Sequence, residues 1–143
     1  MSFDDRLDRE LLRGVLPLCV LAVVAADGPT YGYAVAQSLA DGGLGTVKGG
    51  TLYPLLQRLE DDGLVETTWG AGDRGPHRRY YAVTPAGRET LRRAAGRWST
   101  LTGAASALVA RGAPDRSPPP PDQAPGAVPA PAPAPRPAEG ATS

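Results

Sequence analysis

The segment Gly50-Thr51-Leu52-Tyr53-Pro54-Leu55-Leu56-Gln57-Arg58-Leu59-Glu60 constrains this 143-residue chain more than any other. Leu52, Leu55, Leu56 and Leu59 recur at three- and four-residue spacing, which an α-helix lays along one stripe. The stripe must be buried, so the opposite side, with Thr51, Tyr53, Pro54, Gln57 and Arg58, faces solvent or a ligand. Pro54 is tolerable if it falls in the first turn. Gly63 stops the helix. Leu64 to Trp69 reads as a strand, Gly70 to His77 as a turn with three glycines and a proline, and Arg79 to Val83 as the return strand. The chain therefore offers a helix followed at once by a basic hairpin.

The flanks fit the same plan. Asp8 to Ala26 reads as a first helix with a wide apolar face, and Pro17 either kinks it or starts a new helix. Asp27-Gly28-Pro29 is a stop and turn signal. Thr30 is a good N-cap for a second helix, Tyr31 to about Ala40. Gly42, Gly43 and Gly45 make a flexible link, and Thr46-Val47-Lys48 a candidate short strand. Thr84-Pro85 opens a long last helix as N-cap and first helical residue. In it Leu91, Trp98, Leu101, Ala105 and Leu108 recur nearly as a heptad seam. Such a stripe needs a second surface, and a second copy of the chain is the simplest source.

Composition separates a tail from this core. Ala113 to Ser143 holds 11 prolines and 8 alanines in 31 residues. It has too little apolar surface to offset its ordering entropy, so it is expected to stay disordered with polyproline character. The formal net charge of zero hides a sorted pattern. Between Thr67 and Arg97, seven arginines face only Asp73 and Glu89, a local charge of +5. That suits a phosphate partner. Cys19 stands alone, which excludes an intrachain disulfide, and with His77 it cannot build a metal site. The apolar run Val15 to Ala26 imitates a signal peptide, but its flank carries four acids and the run is too short to span a bilayer. The expectation is no membrane and a cytoplasmic protein.

A helix followed by a basic hairpin is how a winged helix-turn-helix meets double-stranded DNA. Thr51 and Tyr53 carry hydroxyls that reach phosphate, and Gln57 has the amide to read adenine. Gly50 permits close backbone approach, and the helix N-terminus with Lys48 favours an anion. Pro54 and Arg58 complete the exposed face. Arg74, His77, Arg78 and Arg79 form the wing set, whose arginines suit phosphate. Alternation puts Arg78 and Arg79 on opposite faces, so one of them turns away from DNA; which one is left open. Tyr31 either bonds a phosphate or packs in the core. No catalytic constellation and no cofactor pattern is present. An alternative in another class is a winged-helix protein-interaction module without DNA binding.

These blocks also carry a resemblance. Leu12-Arg13-Gly14, Gly28-Pro29-Thr30-Tyr31-Gly32-Tyr33, Gly50 to Leu56, Arg58-Leu59-Glu60, Gly63-Leu64-Val65, Gly75-Pro76, Arg79-Tyr80-Tyr81, Val83-Thr84, Gly87 and Trp98 resemble, in order, the PadR family of bacterial transcription regulators. Val83 stands where leucine is usual, and the Ala/Pro tail is outside the pattern. The resemblance implies a mainly α fold with a small β-hairpin: a winged helix-turn-helix with a long C-terminal dimerisation helix. The expected division is 1–84 for DNA binding, 85–112 for dimerisation and 113–143 for the tail. It implies a homodimeric repressor on a pseudo-palindromic operator, with its interface built from the last helix and the first, including Leu16. Some members bind flat hydrophobic effectors between subunits. A small planar aromatic effector stacked on Trp98 is one reading of that residue, and a plain interface anchor is the other.

Overall fold

The computed structural model describes residues 2–70 and 78–113. Arg74, His77 and the tail from Pro114 onward lie outside the described residues. By its internal contacts the chain divides into two units, Met1–Ala104 and Ala105–Ser143.

The first helix, α1 (Phe3–Asp27), begins five residues before the expected start at Asp8. The Ser2 hydroxyl accepts from the Asp5 amide at 3.2 Å, and Asp4 and Asp5 lie in the first turn, where the helix dipole favours acids. Pro17 sits inside one continuous helix. Leu16, Val20, Leu21 and Val24 are its buried residues. Gly28, at φ +70°, ends it.

Thr30 does not cap the second helix. Thr30–Tyr31 is a short strand, β1, paired antiparallel with Tyr81 and Tyr80 of a later strand. The pairing puts Thr30 in the interior. Helix α2 (Gly32–Leu39) follows with Tyr31 at its N-cap position and no side-chain cap. Where a flexible link was expected, Ala40–Leu44 prolongs α2 by an irregular turn that breaks at Gly43, at φ +103°. Thr46-Val47-Lys48 is not a strand either; Val47 is buried without ladder partners.

Helix α3 (Gly49–Asp61) buries Leu52, Leu55, Leu56 and Leu59, as their spacing predicts. Its earlier start moves Pro54 to the sixth helical residue, past the first turn. The ring deprives the Gly50 carbonyl of a helical partner, but Gly50 is exposed to water. The end is a Schellman turn. Gly63, at φ +74°, donates to Glu60 at 2.9 Å, and Leu64 donates to Leu59 at 2.9 Å.

Strands β2 (Val65–Gly70) and β3 (Arg78–Val83) pair from Val65↔Val83 to Gly70↔Arg78. With β1 on the other side of β3 the sheet order is β1-β3-β2. The fold is mainly helical with one small antiparallel sheet, in which Thr30–Tyr31, and not the candidate at Thr46-Val47-Lys48, adds a third strand to the expected hairpin. The core cluster joins α1, α2, α3 and the sheet through Val20, Val24, Val35, Leu56, Val65 and Tyr81.

Helix α4 (Pro85–Gly112) is capped by Thr84, whose hydroxyl accepts from the Gly87 amide at 3.0 Å and donates to the Gly63 carbonyl at 2.7 Å. One side chain thus ties the end of α3 to the start of α4. Gly87 seals the junction. A Cβ there would lie 2.0 Å from the Leu64 carbonyl oxygen and 2.8 Å from a Val83 methyl. Gly103, by contrast, has nothing within 4 Å. Gly87→Ala should therefore lower stability by about 1–3 kcal/mol through overpacking. Gly103→Ala should raise it by about 0.5–1 kcal/mol, the usual helical gain. Denaturant unfolding of both variants checks this, and equal effects would refute the junction argument.

Candidate nucleic-acid interface

Burying four leucines turns the rest of α3 outward. Thr51, Tyr53, Pro54, Gln57 and Arg58 are all exposed, as are Lys48 and Gly50 at its N-terminal end. Gln57 is steadied by its amide donating to Asp61 at 3.0 Å. Tyr53 is fixed from below. Its ring lies over Gly32 of α2 and Gly49 of its own helix, where Cβ atoms would fall 2.5 Å and 3.4 Å from the ring. The two glycines leave room for the tyrosine, which stays 52 % exposed.

The wing arginines separate as alternation requires, and the structure decides which is which. Arg79 turns inward. It bonds Glu60 of α3 at 2.5 Å, reaches the Thr67 hydroxyl at 3.4 Å and stands 5.7 Å from the Tyr81 ring centroid. Thr67 in turn donates to the other Glu60 oxygen at 3.1 Å. Burial pushes the Tyr81 phenol above its ordinary pKa; the Arg79 charge opposes the rise and Glu60 adds to it. The phenol therefore stays protonated at neutral pH. Arg78 turns outward. It is exposed, and its guanidinium lies 4.5 Å from the centroid of the half-buried Tyr31 ring, which meets Tyr80 edge-on at 5.9 Å. Stacking leaves its N–H groups available at the rim.

Between α3 and the sheet runs an open groove of about 560 Å³ lined by aromatic rings and the two arginines. Two of its residues, Tyr33 and Trp69, are each 70 % exposed and went unrecognised as site residues. The signal was a tryptophan at the exposed end of a strand, which is uncommon without a partner.

The second candidate site divides. Leu16 is buried in the chain's own core and Leu91 packs against it, so neither offers much free surface. Trp98 and Leu101 are exposed and line an open groove of about 1020 Å³ with Leu18, Arg93 and Arg97. Ala105, Leu108 and Val109 are exposed further along α4. On α1, Phe3, Leu7 and Leu11 are exposed at four-residue steps, a stripe outside the predicted set. Cys19 is half-buried, and burial pushes its thiol up. Among the described residues no group of His, Cys, Asp or Glu is placed to hold a metal. No described helix is long and apolar enough to cross a membrane.

The sequence pattern of the Transcriptional regulator PadR-like family matches residues 20–93. The chain belongs to the PadR-like family. A transcriptional regulator of Mycobacterium tuberculosis is 43 % identical over 83 residues, 58 % of this chain and 75 % of that protein. The structure of a PadR family transcriptional regulator from Eggerthella lenta superposes with a TM-score of 0.67 at 38 % identity, covering 76 % of this chain and 96 % of that one. A PadR-like regulator of Bacillus cereus gives 0.62 at 33 % identity, over 70 % and 96 %. This PadR-like protein is accordingly a winged-helix transcriptional regulator and not an enzyme.

The room left for Tyr53 makes a prediction. Gly32→Ala places a methyl against the far end of a flexible ring, which can swing away at little cost to the core. The variant should melt close to wild type yet bind DNA at least about tenfold more weakly, if the hydroxyl makes a phosphate hydrogen bond worth about 1.5–3 kcal/mol. Unchanged affinity would show that Tyr53 does not need that room.

Proposed function

We propose that this PadR-like chain is a cytoplasmic homodimeric repressor that binds a pseudo-palindromic operator. Its α3 enters the major groove and its wing lies along the adjacent backbone. The observation that carries this reading is the side of α3 opposite the leucines. It is open along its whole length, bears Thr51, Tyr53, Gln57 and Arg58, and has the outward Arg78 beside it. Gln57 discriminates bases, Tyr53, Thr51 and Lys48 bond phosphates, and Arg78 adds charge at the wing. Arg74 and His77, which lie between the two wing strands in sequence, are proposed to join Arg78. Arg79 is assigned to holding the wing.

Titration of DNA at several salt concentrations tests the division of labour. Arg78→Ala should weaken all sequences alike and flatten the salt slope by about 0.9 per subunit, one released counterion each. Gln57→Ala should leave the slope alone and narrow the gap between operator and random DNA by about 1–3 kcal/mol per half-site. A Gln57 variant with full discrimination would remove that residue from base reading.

The dimer is proposed to form through the exposed apolar residues of α4, Trp98, Leu101, Ala105 and Leu108, together with Phe3, Leu7 and Leu11 of α1. A planar aromatic effector stacked on Trp98 would occupy the groove beside Leu101 and relieve repression. Sedimentation of a Leu101→Glu, Leu108→Glu protein should show a monomer, because each buried carboxylate costs several kcal/mol. A dimer that survives both charges would place the interface elsewhere.

A further inference from the structure

A second cluster of cations lies away from the wing, in a groove of about 280 Å³ between α1 and α3. On α1, Arg9, Leu12, Arg13 and Leu16 line it; on α3, Thr51, Leu55 and Arg58. The spacing is helical on both sides, so each helix turns one stripe into the groove. Leu16 and Leu55 are buried and make its floor. Arg9, Arg13, Arg58 and Thr51 are exposed and make its rim. No carboxylate lines it. Arg13 and Arg58 have no ion pair among the described residues. The like charges of Arg13 and Arg58 beside one small groove repel one another, and a bound anion lessens that cost.

The groove's position selects the anion. At about 280 Å³ it is open to solvent, so an anion held there stays accessible to a neighbouring macromolecule. Thr51 and Arg58 belong both to its rim and to the open face of α3. An anion held there would therefore border whatever α3 contacts. Arginine forks match the oxygens of a phosphate. We infer that Arg9 and Arg13 of α1 form, with Arg58 and Thr51, a seat for a DNA backbone phosphate, extending the DNA footprint to the opposite flank of α3 from the wing. This rests on the reading of α3 as the DNA-contacting helix.

The test uses the full chain and a duplex enriched by the wild-type protein from a random pool. Wild type, an Arg9→Gln/Arg13→Gln pair and an Arg9→Lys/Arg13→Lys pair are titrated over a range of salt. The Gln pair should lose about 0.9 in the slope of log affinity against log salt for each phosphate contact removed, and the Lys pair should keep the wild-type slope. Phosphate-ethylation interference on the wild-type protein should show a sensitive phosphate on the flank away from the wing, and that sensitivity should vanish with the Gln pair. A folded Gln pair with an unchanged slope and an unchanged ethylation pattern overturns the inference and leaves the α3 reading standing. If the Gln pair does not fold, the wild-type pattern decides alone, and absence of the extra phosphate overturns the inference. Saturable binding of inorganic phosphate that the Gln pair loses, with no change in DNA slope, assigns the groove to a free anion and also overturns it. Failure of wild type to enrich any duplex is the separate failure of the parent reading.

Discussion

Burial of Leu52, Leu55, Leu56 and Leu59 determines how α3 is rotated in the molecule, and nearly everything about the candidate interface follows from that rotation. Each leucine truncated to alanine would cost about 2–5 kcal/mol, far more than any preference of the polar residues opposite. The polar face is therefore exposed as a consequence of packing, and its residues are free to be chosen for a partner. The same helix also carries the mount for the wing. Glu60, in its last turn, holds Arg79 and Thr67 of the sheet. This polar network thus joins helix and hairpin at the edge of a core that Val65 and Tyr81 of the sheet already share with the leucines.

Neighbouring residues of one type take opposite roles here, and backbone geometry is the reason. Arg78 and Arg79 differ by one step along a strand, so one stacks outward on Tyr31 and the other pairs inward with Glu60. Glycines divide in the same way. Gly87 is required because a carbonyl and a methyl occupy the space of a side chain, whereas Gly32 makes room for the ring of Tyr53. The net charge of zero proves equally uninformative, because the cations gather at particular rims of the surface while α1 begins with acids that serve its dipole.

Local signals were the legible ones. The leucine period located α3, Gly63 its end, and Thr84-Pro85 the start of α4, because a helical stripe, a left-handed glycine and a cap each act within a few residues. Long-range pairing was not legible. Thr30 looks like a cap in sequence, and only its ladder to Tyr81, some fifty positions away, makes it a strand residue. Leu16 has the right spacing for an interface but is claimed by the chain's own core. Val47 is buried by packing alone, with no strand around it. The exposed aromatic groove and the cluster at Arg9, Arg13 and Arg58 arise from residues on different elements, and no window of sequence contains them.

The central claim is that the open face of α3 and the outward side of the wing meet DNA together. Amide hydrogen exchange of the whole protein, alone and on an enriched duplex, tests it most directly. Exchange follows local opening, so a DNA-contacted element should become harder to open. The account predicts added protection across 49–58 and 78–80, with α4 beyond Trp98 unchanged. Protection confined to α4, with 49–58 exchanging as in the free protein, would contradict it.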